Sequence, residues 1–334
     1  MKHICFVAAK SGGHIVPCLT LVTHYKKGHQ NLSVTFISAN NTLDKNLTKN
    51  HPLIDENIYL NLENIPYKKP LRIPFFCFQF MYAFIKMFFK FIKKRPIKII
   101  SSGSYIALPA SFAAFVLRIP IELWELNVIP GKTIKWLAPF AQKINLCFPE
   151  AQKFFNPKKS VLALYPICYC QQDKENLKTA RLRLSLDPHK KTIFILGGSQ
   201  GSQELNKIIL GIVQKNSLIA KTIQFIHQTG NDSPELTRKT YQSFNIPAYV
   251  FSYNKNLAPM YNATDLVISR AGAGALAEIQ FFEKASIIIP LKTDQTNHQY
   301  YNATSFEKRA SSKCTILEIT QQKELETILN KLSV

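Results

Sequence analysis

The sequence predicts an α/β protein with two doubly wound, parallel-sheet domains, and three observations support this fold class. Short apolar runs alternate with helix-length segments along the chain, which is the pattern of strands buried on both faces of a parallel sheet. Two glycine-rich turns, at Gly12 and Gly197, each follow such a run and open a helix-length segment. The length of 334 residues favours two domains over one. Both domains are therefore expected to be Rossmann-like.

Nine apolar runs are predicted as strands. They are Ile4–Ala8, Ser33–Ser38, Ile97–Ser101, Ile119–Trp124, Thr192–Leu196, Ile223–His227, Tyr249–Phe251, Leu266–Ser269 and Ala285–Pro290. The segment 157–171 contains prolines and lacks helical periodicity, so residues 1–163 and 164–334 are the two expected domains. Ligands of open α/β sheets bind beyond the carboxyl ends of the strands, which predicts a site in a cleft between the domains.

The basic residues are concentrated in the first half of the chain. Residues 1–160 hold 22 Lys and Arg against 7 Asp and Glu, and no acidic residue occurs between Glu63 and Glu122. Compositional drift accounts for part of the total, but the asymmetry predicts an anionic partner. Charge alone would equally predict a nucleic-acid-binding protein. Against that alternative, the basic segment is interleaved with phenylalanine, and no recognised nucleic-acid module is present.

Cysteine usage and the first residues favour a cytosolic setting. The seven cysteines are scattered and form no C-x-x-C pair, so neither a disulfide framework nor a zinc cluster is predicted. The apolar run at 4–7 is too short for a signal peptide and is expected to be the first strand.

Residues 71–94 form the most apolar stretch of the chain, with a narrow polar line at helical spacing. A transmembrane span, a buried core helix and an interfacial helix are the three alternatives. Lysines within the stretch disfavour a span, and their number disfavours full burial, so the interfacial helix is preferred, with basic flanks on anionic headgroups. The residues expected to meet the membrane are Phe75, Phe76, Phe80, Phe84, Phe88, Lys86 and Lys90.

The first glycine turn carries a candidate catalytic residue. Ser11, Gly12 and Gly13 would let backbone N–H groups approach an anion at a helix N-terminus. His14 follows in the first helical turn, where it could take a proton from a hydroxyl at neutral pH. An ordinary strand-to-helix turn with a surface histidine is the alternative.

Three further motifs lie in the second domain. The turn 197–202 could hold a pyrophosphate, although it is neither a Walker A loop nor the dinucleotide fingerprint. The segment 266–278 ends a strand, passes through small residues and carries Glu278 into a helix, where it could accept two ribose hydroxyls. Charge complementarity at a helix start is the alternative for that glutamate. A dense polar cluster at 290–303 follows the last predicted strand.

In this order and at these separations, the motifs resemble those of the GT-B glycosyltransferases that use UDP-sugars, and within them the MurG family. That family makes lipid II from lipid I with UDP-N-acetylglucosamine. The resemblance runs from about Ile4 to Ala303. The motifs that carry it are Ser11–His14, Gly103–Tyr105, Glu125-x-Asn127 with Gly131 and Lys135–Trp136, Gly197–Gly201, Arg270-x-Gly272–Ala273 ending at Glu278, and the Asn297–Ala303 cluster.

The resemblance implies a GT-B fold with lipid I in the first domain and UDP-N-acetylglucosamine in the second. His14 would be the base of an inverting transfer, and Gly103, Ser104 and Tyr105 would bind the acceptor. The acceptor diphosphate would also lie near the first glycine turn. The residues assigned to the donor are Ser11, Gly12, Gly13, Asn127, Ser199, Gln200, Asn254, Arg270, Ala273, Gly274, Ala275, Leu276, Ala277, Glu278 and Gln299.

No cofactor and no metal are expected, in keeping with the lack of an Asp-x-Asp sequence. The implied partners are UDP-N-acetylglucosamine, lipid I and an anionic membrane surface, without nucleic acid. The implied location is peripheral, on the cytoplasmic face of the bacterial inner membrane. The apolar face of the 71–94 helix would enter the lipid there.

The sequence departs from the family pattern at three motifs and at the end of the chain. Ser11 replaces a threonine, and the family's His-Glu-Gln-Asn run becomes Trp124–Asn127. The interdomain Gly-Asn-Pro-Val-Arg becomes Leu164–Cys168, so an arginine expected on the donor is absent. The end of the chain is a candidate to pack back on the first domain, although Val334 comes short of the family's last helix, which predicts looser domain closure.

Overall fold

A computed structural model describes residues 2–29, 31–66, 69–198, 200–215, 219–291 and 297–332. The chain divides into two compact units, residues 1–167 and 168–334. Each unit has one parallel sheet with helices on both faces, so the predicted fold class is confirmed for both. The division lies a few residues beyond the boundary expected from the prolines.

The first unit contains a seven-stranded parallel sheet in the order β3-β2-β1-β4-β5-β6-β7. Its strands are β1 Lys2–Val7, β2 Leu32–Ala39, β3 Glu56–Leu60, β4 Lys98–Ser101, β5 Ile121–Glu125, β6 Lys143–Leu146 and β7 Ser160–Leu162. Strand order reverses between β1 and β4, which opens a crevice between the loops that follow them. Helices cover both faces, and alternate residues of β1 enter two different cores, Phe6 on one face and Val7 on the other.

The described residues of the first unit form five α-helices. They are α1 Gly12–Gly28, α2 Thr42–Thr48, α3 Ile73–Lys93, α4 Ala107–Val116 and α5 Lys132–Leu137. Because β1 pairs with β2 on one side and with β4 on the other, α1 begins at the carboxyl end of a central strand. The predicted glycine turn therefore lies at the reversal point of the strand order.

The second unit contains a six-stranded parallel sheet in the order β10-β9-β8-β11-β12-β13. Its strands are β8 Lys191–Leu196, β9 Ile223–Gln228, β10 Ala248–Phe251, β11 Leu266–Ser269, β12 Ala285–Ile288 and β13 Cys314–Ile316. Its helices are α6 Leu177–Arg183, α7 Gln203–Lys215, α8 Ile219–Thr222, α9 Pro234–Ser243, α10 Ala258–Asn262, α11 Ala273–Phe281, α12 His298–Glu307 and α13 Gln322–Leu332. Strand order reverses between β8 and β11, so the loops after these two strands flank the second crevice.

All nine predicted strands are present, and β3, β6, β7 and β13 were not predicted. Three of these four are edge strands, and each is five residues or fewer, so none carries a long apolar run. At the other end of the chain, α13 adds Leu325 and Leu329 to a core of the second unit.

The α3 helix corrects the predicted membrane-facing residues. Phe76, Phe80, Phe84 and Phe88 are partly buried and pack against the core of the first unit, and Lys90 forms an ion pair with Glu56. The hydrophobic pattern supplied the helical spacing, but a helix apolar nearly all round does not reveal which side meets the core.

The outward side of α3 carries a different set of large apolar residues, of which only Phe75 was predicted. We call this set the outer face of α3. It consists of Ile73, Phe75, Phe78, Met81, Tyr82, Ile85, Phe89 and Ile92, all exposed. Lys86 is exposed as expected. Within the described residues, Pro70–Lys93 is the one helical segment long and apolar enough to cross a membrane by length and composition.

Candidate functional site

The loop between β1 and α1 is held in shape by a buried carboxylate. Lys10 has a left-handed backbone (φ 83°), and its N–H lies 3.2 Å from both side-chain oxygens of Asp44. Asp44 also accepts the N–H of Ala39 at 2.9 Å. Helical hydrogen bonding in α1 begins at His14, whose N–H donates to the Ser11 carbonyl. The N–H groups of the preceding glycine turn are therefore presented at a helix N-terminus, a favourable place for an anion.

The His14 ring has a defined tautomer. Its Nδ1 lies 2.8 Å from the Ser102 carbonyl oxygen. Because a carbonyl only accepts, Nδ1 carries the hydrogen, and in the neutral ring Nε2 keeps a free lone pair. Burial lowers the pKa of His14, the Lys10 charge lowers it further, and the Ser102 hydrogen bond opposes both. The ring is thus a neutral base at physiological pH.

The loop after β4 packs directly against this histidine. Gly103 and Ser104 both have left-handed backbones (φ 104° and 78°), and a Cβ on Gly103 would lie 3.5 Å from His14 Cε1. Among the described residues, the buried Ser104 Oγ has no hydrogen-bond partner. An unpaired buried hydroxyl costs stability, so a ligand group is expected to pair with it. The structure therefore brings His14 and the predicted acceptor loop together, with Tyr105 half-buried beside them.

The loop after β5 is organised by Glu125. The sequence analysis named this residue only as part of the Glu125-x-Asn127 motif and predicted no role for it. Its carboxylate accepts the backbone N–H of Asn127 at 2.9 Å and of Gly131 at 3.0 Å. Burial raises the pKa of Glu125 to about 7, while these hydrogen bonds lower it. Glu125 thus positions Asn127, which was predicted to reach the donor.

In the second unit, the glycine turn after β8 requires its glycines. A Cβ on Gly197 would lie 2.4 Å from the Ser202 nitrogen, which is too close, and Gly198 has a φ of 90°. Gln200 is exposed within the turn. The predicted pyrophosphate residue Ser199 lies outside the described residues, as do residues 292–296 of the predicted polar cluster 290–303.

Arg270 forms hydrogen bonds with the end of this turn and with the first residues of α7. Its side chain is buried, and Nη2 donates to Ser202 Oγ at 2.9 Å and to Glu204 at 3.0 Å. Nη1 donates to the Ile289 carbonyl at 3.3 Å. The guanidinium predicted to contact the donor is therefore engaged by the protein and ties the end of β11 to the start of α7.

The N-terminus of α11 is lined by small residues. Gly272 caps it without a side-chain hydrogen bond. Gly274, Ala275 and Ala277 are half-buried, while Ala273 and Leu276 are buried. Because Leu276 packs into the core, it can reach a ligand only through its backbone.

Glu278 lies in an apolar setting one turn further along α11. Its Oε2 accepts a hydrogen bond from the Tyr261 hydroxyl at 3.0 Å. Burial raises the pKa of Glu278 to about 7, and the Tyr261 hydrogen bond lowers it. A carboxylate in such a site gains from ligand hydroxyls that donate to its charged form.

Two other predicted donor residues are engaged with backbone groups. Asn254 Oδ1 accepts the N–H of Asn256 at 2.9 Å. Gln299 Oε1 accepts the N–H of Ala271 at 3.2 Å and of Leu291 at 2.9 Å, which joins the loops after β11 and β12. Both residues shape loops of the second crevice.

Cys168 occupies the position of the expected arginine and is exposed. Its neighbour Tyr169 packs against Phe281 and Phe282 of the α11 end, with ring centroids 6.4 and 5.2 Å apart. Aromatic packing by Tyr169 thus comes directly after Cys168, the position where an arginine was expected. Within the described ranges, no group of three or more His, Cys, Asp or Glu side chains could hold a metal ion.

Family models match both units of the chain. Residues 4–146 match the model of the glycosyltransferase family 28 N-terminal domain, and residues 192–333 match that of its C-terminal domain. The chain belongs to glycosyltransferase family 28. Within this family, a Campylobacter jejuni subsp. doylei protein is 33% identical and a Halalkalibacterium halodurans protein is 30% identical. The alignments cover 92% and 90% of this chain, and 83% and 82% of those proteins.

Both family 28 relatives are named UDP-N-acetylglucosamine--N-acetylmuramyl-(pentapeptide) pyrophosphoryl-undecaprenol N-acetylglucosamine transferase. Among solved structures, Acinetobacter baumannii MurG has a TM-score of 0.75 at 22% identity, covering 100% of this chain and 91% of that one. A Methanocaldococcus jannaschii UDP-GlcNAc 2-epimerase has a TM-score of 0.61 at 13% identity, covering 99% and 91%. These two structures share the GT-B fold class, and the family 28 chain is a glycosyltransferase.

Proposed function

We propose that this glycosyltransferase transfers N-acetylglucosamine from UDP-N-acetylglucosamine to the 4-hydroxyl of undecaprenyl-pyrophosphoryl-MurNAc-pentapeptide, lipid I, to make lipid II. The names of its relatives support the substrates. The observation that carries the chemistry is the hydrogen bond from His14 Nδ1 to the Ser102 carbonyl, which leaves Nε2 as the proton acceptor of the neutral ring at the reversal point of the first sheet. The activity belongs to peptidoglycan synthesis, on which cell shape and division depend.

The donor half of the reaction uses the second unit. The α11 N-terminus and the glycine turn after β8 offer backbone N–H groups to the pyrophosphate. Glu278 accepts the ribose hydroxyls, and the loop around Asn254 pairs with uracil. Gln299 contacts the sugar. Uridine diphosphate then leaves as an anion that the helix N-termini stabilise, so no metal is required.

The acceptor half uses the first unit. The diphosphate of lipid I lies on the glycine turn and the Gly103–Tyr105 loop, where the Ser104 hydroxyl has no hydrogen-bond partner in the part of the chain that the structure describes. The acceptor 4-oxygen attacks the anomeric carbon as the bond from that carbon to the phosphate oxygen breaks, which inverts the configuration. His14 Nε2 takes the hydroxyl proton in this step.

Transfer of radiolabelled N-acetylglucosamine to a short-chain lipid I analogue, in the presence of EDTA, tests the whole proposal. We expect labelled product without added metal. Product that forms only after Mg²⁺ or Mn²⁺ is restored would contradict metal independence alone. The alternative is another membrane-associated GT-B glycolipid glycosyltransferase, such as one that uses diacylglycerol. Binding of the sugar nucleotide without transfer to lipid I, but with transfer to diacylglycerol, would contradict the proposed acceptor.

Membrane association is the second part of the proposal. The protein would be peripheral on the cytoplasmic face of the inner membrane, with the outer face of α3 in the lipid and anionic headgroups around Lys86. Nucleic acid is not among the proposed partners. An interfacial position is preferred to a span because the inward side of α3, including Met87 and Phe91, is buried in the first unit. A span would have to remove those side chains from the core.

Replacing both Phe78 and Phe89 by serine is expected to reduce partition onto phosphatidylglycerol vesicles by about 100-fold. These side chains are 70% and 64% exposed, and burying one in an apolar phase is worth about 1.5 kcal/mol, or roughly tenfold in partition. Vesicle sedimentation measures the effect. The matched control is Leu236→Ser, a 68% exposed residue on α9 of the second unit, which should leave partition unchanged. Equal partition of the double variant and the wild type would rule out the outer face as the anchor.

A further inference from the structure

The glycine turn after β8 touches a second turn, which follows β9. A Cβ on Gly201 would lie 2.3 Å from the Thr229 carbonyl oxygen, and one on Gly230 would lie 2.2 Å from the Gly201 nitrogen. The Asn231 N–H donates to the Gln200 carbonyl at 3.0 Å. The two backbones are therefore in direct contact, so the position of one decides the position of the other.

A buried hydrogen-bonded chain holds the second turn against α7. Asn206 Nδ2 donates to the Thr229 carbonyl at 3.0 Å and to Asp232 Oδ2 at 2.7 Å. His227 Nε2 lies 3.0 Å from Asn206 Oδ1, and His227 Nδ1 lies 2.9 Å from the Tyr241 hydroxyl. Tyr241, His227 and Asn206 are all buried.

The donors and acceptors in this chain have one consistent assignment. Asn206 faces two acceptors, a carbonyl and a carboxylate, with its nitrogen, so its oxygen faces His227. His227 must then donate from Nε2 and accept at Nδ1 the hydrogen of Tyr241. Burial lowers the pKa of His227 to about 3, so the ring is neutral, as this assignment requires. A single direction of donation thus runs from Tyr241 through His227 and Asn206 to the turn.

We infer that His227 is a positioning residue for the donor pyrophosphate: through Asn206 it fixes the turn at Thr229–Gly230, and that turn fixes the glycine turn after β8. This inference rests on the proposed function for the identity of the ligand. The positioning itself depends only on the hydrogen bonds and the backbone contact.

Two conservative variants separate positioning from general stability. His227→Gln keeps a donor close to the Nε2 position and loses the acceptor for Tyr241. His227→Asn keeps a group close to the Nδ1 position and loses the donor to Asn206. Each removes one buried hydrogen bond, at opposite sides of the His227 ring. Tyr241→Phe serves as the control, because it removes only the hydrogen bond from the Tyr241 hydroxyl to His227 Nδ1.

We expect the dissociation constant for UDP-N-acetylglucosamine, measured by calorimetry, to rise about tenfold to 100-fold in His227→Asn, because the loss of well-placed hydrogen bonds to a charged group weakens binding by factors of that size. His227→Gln and Tyr241→Phe should stay within about threefold of the wild type. The KM for the donor should follow the same order, with kcat changed less. Equal affinities of the Gln and Asn variants would overturn the inference.

Hydrogen exchange tests the positioning without any ligand. The backbone N–H groups of Gly201 and Asn231 should exchange faster in His227→Asn than in His227→Gln. If the wild type binds no sugar nucleotide, the proposed function fails, and this comparison still decides the inference. Asp232 is the half-buried carboxylate that accepts from Asn206. Asp232→Ala should speed up exchange of the same two N–H groups, and it provides a second variant if His227→Asn does not fold. Unchanged exchange in these variants would overturn the inference.

Discussion

Replacing His14 by alanine is expected to lower kcat by about 10²-fold to 10⁴-fold, the usual contribution of a general base. The donor dissociation constant should stay within about twofold of the wild type, because His14 lies in the first unit and the nucleotide is assigned to the second. Single-turnover transfer and calorimetry with UDP-N-acetylglucosamine measure the two quantities separately.

His14→Asn separates the chemistry from the structure. Its amide nitrogen can replace Nδ1 as the donor to the Ser102 carbonyl, but it has no base at the Nε2 position. We expect it to be as inactive as His14→Ala. His24→Ala, an exposed histidine on the same helix, is the control with wild-type turnover. Full activity in His14→Asn would show that the hydrogen bond, and not the base, is what His14 provides.

The pH dependence follows from the direction of the His14 shift. The active form is the neutral ring, and burial lowers its pKa below the usual 6.5. The value of kcat at saturating donor should therefore persist at neutral pH and fall only below about pH 6.5, as the single His14 ring takes up a proton.

Replacing Glu278 by glutamine is expected to cause the second large effect, a loss of affinity for UDP-N-acetylglucosamine. A hydrogen bond to a charged group contributes about 1.5 to 3 kcal/mol. Losing that charge should therefore weaken donor binding by roughly tenfold to 150-fold. The amide keeps the size of the side chain and can still accept from Tyr261. Calorimetry with UDP-N-acetylglucosamine measures the affinity, and Glu283→Gln, an exposed glutamate just beyond α11, is the matched control.

The same variant should also remove a pH dependence. Burial raises the pKa of Glu278 to about 7, and ribose hydroxyls favour the ionised form. Donor affinity should therefore rise as pH increases through 7 and level off above it, with a proton released on binding below 7. The sugar nucleotide is the better probe, because its pyrophosphate is esterified at both ends and does not titrate in this range. A wild-type affinity that is flat through pH 7 would argue against Glu278 as the ribose ligand.

Much of the fold follows from local patterns. Long apolar runs such as Thr192–Leu196 predict strands because both faces of a parallel sheet are buried. Edge strands such as β3 and β13 carry no such run, and their pairing is decided by the neighbouring strand. Sequence patterns therefore located the centre of each sheet better than its edges.

The candidate site divides in a similar way. Its glycine turns and its chemistry-bearing residues, His14 and Glu278, stand out because their residue types are unusual at strand ends. Their supporting residues do not. Asp44 gave one local signal, since Asn41 three residues earlier forms a helix cap with it, but its contact with Lys10 is made across the fold. Glu125, Ser102 and Tyr261 likewise act through contacts distant in sequence or through burial.

The sequence by itself determined the two doubly wound domains, the order of the glycine turns and the candidate base, because these depend on local spacing and residue type. Only the tertiary structure decided which side of α3 faces outward, which tautomer His14 adopts, and that Arg270 is engaged by Ser202 and Glu204. Those properties depend on which groups meet after the chain has folded. Burial and hydrogen-bond pairing act between residues far apart in the sequence, and local patterns do not encode such pairings.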